Sequence, residues 1–280
     1  MTNRISQSVL HRKVIVGLSL CGAIALLVGT VSAQIVDAVE SEPALAHHSL
    51  KVILDPRNQS LSVEDTVTLP DSMLAAPVNF SLNSNLRITN NPRRLQALAA
   101  NTQVDVPGIN NTGGLAAATT EYSISPPRRN RNQIVLIYSG TIFDTAEQTS
   151  AEYAQSFAES SGIISEQGVY LNKSSVWVAD FGSDLISFDL QVEFADSASS
   201  WTAVSQGDRL GGNGWQSDQP MEEVYLIAAN FTEYSQRADD VEVLAYLRTP
   251  DPDLATKYMD ATGRYLALYE PLLGEYPYSK

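Results

Sequence analysis

The sequence predicts a mainly β, antiparallel fold followed by one amphipathic helix, and three observations carry that reading. Apolar and polar residues alternate over several short runs, of which "ISFDLQVEF" is the clearest. Gly, Pro, Asn and Asp separate those runs at turn spacing, and no helical period of comparable length interrupts them before Pro250. After Pro250 the apolar residues recur at three and four residues, the period of a helix face.

The first thirty-three residues stand outside the fold. Arg4, Arg12 and Lys13 form a positive n-region, Val14 to Val31 is an apolar run, and Val31-Ser32-Ala33 is a small-residue cleavage site, the pattern of a secretory signal. On that reading the mature chain begins at Gln34 and is exported, to the periplasm or beyond the cell. Residues 14–33 are also long enough to span ~30 Å of hydrocarbon at ~1.5 Å per residue, so an uncleaved membrane anchor is the second reading. Cys21 follows Leu20 rather than a small residue, which disfavours a lipoprotein signal; as the one cysteine of the chain, it leaves a cleaved product with no disulfide and no thiolate metal ligand. Residues 34–46 read as a linker, 47–248 as the β-rich domain and 249–280 as the first helix and start of a further domain.

In the β region, Leu50, Val52 and Leu54 share one face of a strand, Pro56-Arg57-Asn58-Gln59 supplies a turn, and Leu61, Val63 and Val67 resume the alternation, which predicts a hairpin. In "ISFDLQVEF", Ile186, Phe188, Leu190, Val192 and Phe194 share one face and Ser187, Asp189, Gln191 and Glu193 the other. One wet and one buried face is the habit of antiparallel sheets. "IVLIYSG" from Ile134, "EVYLIAANF" from Glu223 and "VEVLAYL" from Val241 add further strands. Two stretches are looser. Leu98 to Tyr122 is rich in Thr, Asn and Gly and predicts a mobile loop with at most short strands; Thr145 to Gly162 is acidic and predicts a short helix or an ordered excursion.

Asp251 before Pro252 is an N-cap followed by proline in the first helical turn, and Asp253 places negative charge where the helix dipole favours it. Leu254, Tyr258, Ala261, Tyr265, Leu268 and Leu272 then line one stripe, Gly263 weakens it, and Pro271 ends or kinks it. Such a stripe needs a partner: either the sheet or a further domain. Leu272, Leu273, Tyr276 and Tyr278 make an unusual free tail, because unanchored termini are polar and mobile.

Beside this reading stands a resemblance. "GIISEQGVYLNKSSVWVADFGSD" from Gly162, "FDLQVEF", "WTAVSQG", "EEVYLIAANFTEYS" and "LRTPDPDLATKYMDATGRYLALYEPLLGEYPYSK" together resemble the amino-terminal part of zinc aminopeptidases of the aminopeptidase N type, and most closely the exported bacterial members. The similarity runs from about His47 to Lys280 and is most specific over Gly162 to Asp180 and from Glu222 onward. It implies a saddle-like β domain, or β-sandwich, followed by a thermolysin-like α-rich catalytic domain. The first helix of that domain ends in a segment matched here by Leu273-Gly274-Glu275-Tyr276-Pro277-Tyr278-Ser279-Lys280. The implied activity is removal of N-terminal residues from peptides, with zinc as cofactor of the full-length family and the chain stopping as the catalytic domain begins.

The family's zinc site takes two His at i and i+4 on a helix, a Glu beside the first and a later Glu. The histidines here are His11, inside the signal, and His47-His48, adjacent at the start of a strand; neighbours on a strand point to opposite faces and do not converge on one ion. The family's Gly-x-Met-x-Asn motif is missing. Its Gln-aromatic-Glu and Ala-Arg…Phe-Pro-Cys-x-Asp-Glu segments are replaced by "LNKSSVWVADFGSDLIS" between Tyr170 and Phe188, so no substrate-binding residue carries over. Catalytic, cofactor-binding and metal-ligating residues are therefore all assigned as none within this chain.

Other constellations read as structure. Asp180, Asp184 and Asp189 suggest paired carboxylates of a glycosidase, but turn and wet-face positions account for them better. "GDRLGGNGWQ" lacks the Lys-Ser/Thr and the following helix of a phosphate loop and predicts a hairpin turn. Trp177, Trp201 and Trp215 suggest sugar stacking, with core or rim packing the commoner use. A 280-residue chain with 44% apolar and 18% charged residues is globular, and a net charge of -14 argues against nucleic acid as a partner. The one basic knot, Arg128-Arg129-Asn130-Arg131, reads as a loop. Two function classes follow: the non-catalytic N-terminal portion of an exported zinc aminopeptidase, which meets peptide only through a missing catalytic domain, or a free-standing exported β-rich binding protein on the same scaffold. The membrane is a partner only for an uncleaved N-terminal segment.

Overall fold

The computed structural model describes residues 45–101, 116–125, 132–145, 147–148 and 158–280, all within the unit Glu42–Lys280. The expectations for the signal or anchor, for the basic knot and for the interiors of the two looser stretches lie outside the described residues.

Strands β1 (Ala46–Asp55) and β2 (Ser60–Thr68) form the expected hairpin, with Val52 opposite Val63 and Leu54 opposite Leu61. A single 3-10 turn, Pro56–Asn58, joins them; the Asp55 carboxylate accepts from the Asn58 N–H at 3.2 Å, and Gln59 closes the turn in the left-handed region at φ 54. Strands β3 (Val78–Asn83), β5 (Gln96–Asn101) and β6 (Thr119–Ile124) make a three-stranded sheet. The ends of the Thr- and Asn-rich stretch are thus paired strand. Strands β4 (Leu86–Ile88) and β7 (Gln133–Thr141) extend the first hairpin. The acidic stretch is closed at its ends by β8 (Glu147–Gln148) against β9 (Ala158–Glu159).

Strands β10 (Ile163–Ser165), β11 (Gly168–Leu171), β13 (Thr202–Val204) and β16 (Leu226–Ala229) form a four-stranded sheet in the order β10-β11-β16-β13. Strand β12 (Ile186–Phe194) joins the largest sheet together with the hairpin β14 (Asp208–Gly211) and β15 (Gly214–Gln216). That sheet is seven-stranded, in the order β14-β15-β12-β1-β2-β7-β4.

One pairing departs from the antiparallel expectation. Strand β12 runs parallel to β1, from Ala46 opposite Ile186 to Leu54 opposite Phe194, while the other ladders among the described residues are antiparallel. Alternation along β12 reports that one face is wet, which holds for either direction once an antiparallel neighbour, here β15, lies on the other side. It does not report the sense of the partner strand.

The buried faces share one core, which includes Leu50, Val52, Leu54, Val63, Leu136, Phe188, Leu190 and Leu226. Trp177 and Trp215 are fully buried in it, their indole N–H groups donating to Val224 O at 3.0 Å and Ala203 O at 3.1 Å. Trp201 sits at the rim, 6.1 Å from Phe194 between ring centroids. Core and rim packing is therefore the use made of all three.

Strands β17 (Thr232–Ala238) and β18 (Val241–Leu247) form a separate hairpin, and helix α1 (Pro252–Leu273) lies against it. Asp251 caps the helix as expected, its carboxylate accepting from the Leu254 N–H at 2.9 Å, and Pro271 falls within the last turn before Gly274 ends it at φ 93. The face turned to the hairpin is not the stripe of largest residues. Ala255 and Met259 are buried with Val243, and Leu266, Ala245 and Leu247 pack around them. A methyl added at Gly263 would stand 3.3 Å from the Ala238 Cβ, so the small residues mark where helix and hairpin approach closely. The aromatic-rich stripe lies roughly 100° further around the helix and is exposed: Tyr258 at 58%, Tyr265 at 59%, Leu268 at 58% and Leu272 at 73%.

Candidate functional site

The two adjacent histidines diverge as strand geometry requires. His47 lies on the outer face of the seven-stranded sheet, where the parallel register sets it opposite Ser187; its ring is hydrogen-bonded to Ser187 Oγ at 2.9 Å and Asp189 Oδ2 at 3.2 Å. His48 points into the core and is bonded to Asp65 Oδ2 at 2.9 Å, both side chains being buried. On the same core face lies Tyr138, whose phenol burial pushes well above its usual range, with Asp65 adding to the rise. The two rings cannot meet one zinc, and among the described residues no group of three or more His, Cys, Asp or Glu is arranged to hold a metal ion. No zinc chemistry is derived from these side chains.

A Ser, a His and an Asp do meet at Ser187, His47 and Asp189, but on an open strand face. The backbone N–H groups flanking Ser187 on β12 are already engaged, that of Ile186 by Met221 O at 2.8 Å and that of Phe188 by Ser217 Oγ at 2.9 Å, so neither is free to form an oxyanion hole. Asp180 accepts from the Gly182 N–H at 2.8 Å, an Asx turn, and Asp184 is exposed. These acids occupy the turn and wet-face positions expected of them, and "GDRLGGNGWQ" is the β14–β15 hairpin.

A cluster of polar groups lies elsewhere, at the junction of the β17–β18 hairpin with the main sheet. Along β18, Val243, Ala245 and Leu247 face α1, while Glu242, Leu244 and Tyr246 alternate onto the opposite face. That second face meets β13 and β15 across an open cleft of about 480 Å³, lined by Val204, Trp215, Glu242, Tyr246, Leu266 and Lys280, among others. Arg209 ties the two walls, its Nη1 donating to both Glu233 carboxylate oxygens at 2.8 and 2.9 Å.

The residues after α1 close one end of the cleft. Gln219 Nε2 donates to Pro277 O at 3.3 Å, the Glu242 N–H to Ser279 O at 2.8 Å, and Ser279 Oγ to Asp208 Oδ1 at 2.8 Å. Lys280 Nζ donates to Ser205 O at 2.9 Å and stands 3.9 Å from the Trp215 ring centroid. The tail that looked unusual for a free terminus is anchored by these bonds. Desolvation lowers the Lys280 ammonium to about 8, against the opposing pull of Asp218, Asp208 and Glu242, with Arg209 adding to the lowering. Burial raises the Tyr246 phenol to about 12, helped by Glu233 and Glu242 and opposed by Arg209. Its hydroxyl is buried and has no hydrogen-bond partner. Nothing in the sequence singled out Tyr246, Glu242 or Lys280 as a group, since their convergence depends on where the hairpin docks.

No protein-family model matches the sequence, and no curated protein matches it significantly. Solved structures do share the fold. An aminopeptidase N family protein from Idiomarina loihiensis aligns with a TM-score of 0.51 at 11% identity, over 84% of this chain and 38% of its own. An M1 zinc metallopeptidase from Deinococcus radiodurans aligns with a TM-score of 0.50 at 14% identity, over 84% and 54%. Yeast LTA4 hydrolase aligns with a TM-score of 0.53 at 10% identity, over 84% and 36%. The chain thus has a mainly β fold that fits the N-terminal domain of such metallopeptidases, and it spans between 36% and 54% of their lengths.

Proposed function

We propose that the chain is the non-catalytic N-terminal portion of an exported zinc aminopeptidase, whose zinc and peptide substrate are held by a catalytic domain outside these residues. The observation that carries this reading is the outer stripe of α1. Tyr258, Tyr265, Leu268 and Leu272 stand exposed on a helix whose inner face is already packed. Covering each such side chain is worth about 1.5–3 kcal/mol, so a further domain seated there gains a substantial interface. The n-region, apolar run and small-residue site at the N-terminus support export. The test is to read the coding frame beyond Lys280 and assay both forms on a chromogenic amino-acid amide. A continuing frame with His-Glu-x-x-His, active when expressed whole and silent as residues 1–280, is expected. Amide hydrolysis by residues 1–280 alone, above a metal-free blank, would refute the reading.

A second reading, a free-standing exported β-rich binding protein, is favoured by one feature: the Ala255–Met259–Leu266 face of α1 is already partnered by the hairpin. A stop codon after Lys280, with a monodisperse monomer in solution, supports this reading over the first. Export itself is tested by mass spectrometry of the native protein. A mature N-terminus at Gln34 is expected, and intact Met1 in a membrane fraction would replace cleavage with anchoring.

A further inference from the structure

The β17–β18 hairpin and α1 hold a core of their own. Val243, Ala255 and Met259 are buried together with Ala245 and Leu266 packed around them, and none of these residues belongs to the main core. Among the described residues the hairpin also pairs with no strand of another sheet. A body with its own core and its own ladder moves as a unit wherever its ties to the rest are few. Here the chain supplies a short link, Asn230 and Phe231, between the end of β16 at Ala229 and the start of β17 at Thr232. The Phe231 N–H donates to Ala229 O at 3.0 Å, which turns the chain sharply, and its ring lies 5.9 Å from that of Tyr246 on the hairpin. Across the junction lies the open cleft of about 480 Å³, and among the described residues no buried apolar cluster spans it.

One side chain crosses the junction. Arg209 is positioned on the main sheet, where its Nε donates to Gly212 O at 3.3 Å and its guanidinium stands 5.6 Å from the Trp215 ring centroid. From there Nη1 reaches both Glu233 carboxylate oxygens on β17, at 2.8 and 2.9 Å. A guanidinium already held on one body loses little further freedom when it engages the other. Both side chains are 32% exposed, so the bond stands within reach of dissolved ions and is screened by them.

We propose that the β17–β18 hairpin and α1 form one module that pivots at Asn230–Phe231, and that Arg209 is the electrostatic latch fixing its angle against the β14–β15 hairpin. Glu242 and Tyr246 of β18 face the same guanidinium, so the hairpin meets Arg209 with its acidic side. Ser279 adds a tie through the tail, accepting from the Glu242 N–H and donating to Asp208, and this tie is the same in every variant below. An ion pair of this exposure shifts a two-state ratio by up to about fivefold, so ionic strength sets the latch. The module carries the exposed stripe of α1, and the latch therefore sets the direction in which that stripe faces. The inference rests on neither reading of the function, since a tethered module and a seat for a further domain both turn on the same link.

The test is the distance between spin labels on the two bodies, measured by double electron–electron resonance. The full chain carries Cys21→Ser, with labels at Glu193→Cys on β12 and Lys257→Cys on α1, both exposed positions. In about 0.02 M salt the parent is expected to show one narrow population. Glu233→Gln keeps the contacts of Arg209 with Gly212 and Trp215, and should raise the ratio of displaced to native distances by up to about fivefold. Glu233→Arg should raise it further by repulsion, and adding Arg209→Glu to that change should return the distribution towards the parent's. About 0.5 M salt should give the parent the distribution of Glu233→Gln and leave that variant as it was. A pair that only stabilised the fold would lower the unfolding midpoint and leave the distances unmoved, which would overturn the proposal. A salt response that persists in Glu233→Gln, or a reversed pair no narrower than Glu233→Arg alone, would overturn it equally.

Discussion

His48 and Asp65 are hydrogen-bonded at 2.9 Å inside the seven-stranded sheet, with side-chain exposures of 1% and 0%. They come from opposite strands of one hairpin, on the face that otherwise carries Leu50, Val52 and Val63. Asp65 has one further oxygen buried without a partner, so the pair sits in the core only partly satisfied. Removing one member strands the other, and Asp65→Ala is expected to cost about 3–5 kcal/mol in urea unfolding. Replacing both with leucine removes the two buried polar groups together and should cost clearly less than the single change. A single-variant loss below about 1 kcal/mol would show that water reaches the imidazole.

The two faces of α1 should respond oppositely to substitution. Met259→Ala opens the contact with Val243 and is expected to lower stability by about 2 kcal/mol or more. Tyr265→Ser and Leu268→Ser lie on the exposed stripe and should change stability by no more than about 0.5 kcal/mol, while reducing any self-association seen by sedimentation velocity. If the serine variants unfold as readily as Met259→Ala, the outer stripe is packed in solution.

Gly207 adopts φ +78, and a Cβ there would run into the Gln216 carbonyl oxygen across the β14–β15 hairpin. Backbone strain of about 1–3 kcal/mol and the collision add, so Gly207→Ala should destabilise by more than about 2 kcal/mol. Because the hairpin sets Trp215, the indole emission of the variant should also shift to the red before global unfolding.

Stability should pass through a shallow maximum in mild alkali. The Lys280 ammonium titrates at about 8 when folded, below the 10.5 of the free side chain, so between those values the unfolded chain holds the extra proton and raising pH favours the fold. Tyr138 and Tyr246 titrate above 10.0 when folded, and past pH 10 the unfolded chain loses protons that the native state keeps, so stability falls. Chemical denaturation between about pH 7 and pH 11 should show the rise and then the fall. Lys280→Met should remove the rise and leave the fall; a rise that persists in that variant assigns it to another group.

The sequence alone determined the features that depend on neighbours along the chain. Period-two alternation placed Leu50, Val52, Leu54, Phe188, Leu190 and Val192 on buried faces, turn chemistry placed the breaks at Pro56–Asn58 and around Gly211-Gly212, and Asp251-Pro252 placed the start of α1. Opposed faces on a strand also separate His47 from His48. What the tertiary structure decided are pairings between distant segments. The parallel match of β1 with β12 brings together His47, Ser187 and Asp189, and alternation is blind to the direction of a partner. The choice of the Ala255–Met259–Leu266 face over the larger aromatic stripe follows from how closely the hairpin approaches at Gly263 and Ala238, a matter of residue size rather than hydrophobicity. Lys280, Tyr246 and Trp215 line one cleft only because the tail folds back across the sheet, and that contact energy is spread over side chains remote from each other in sequence, where no local period records it.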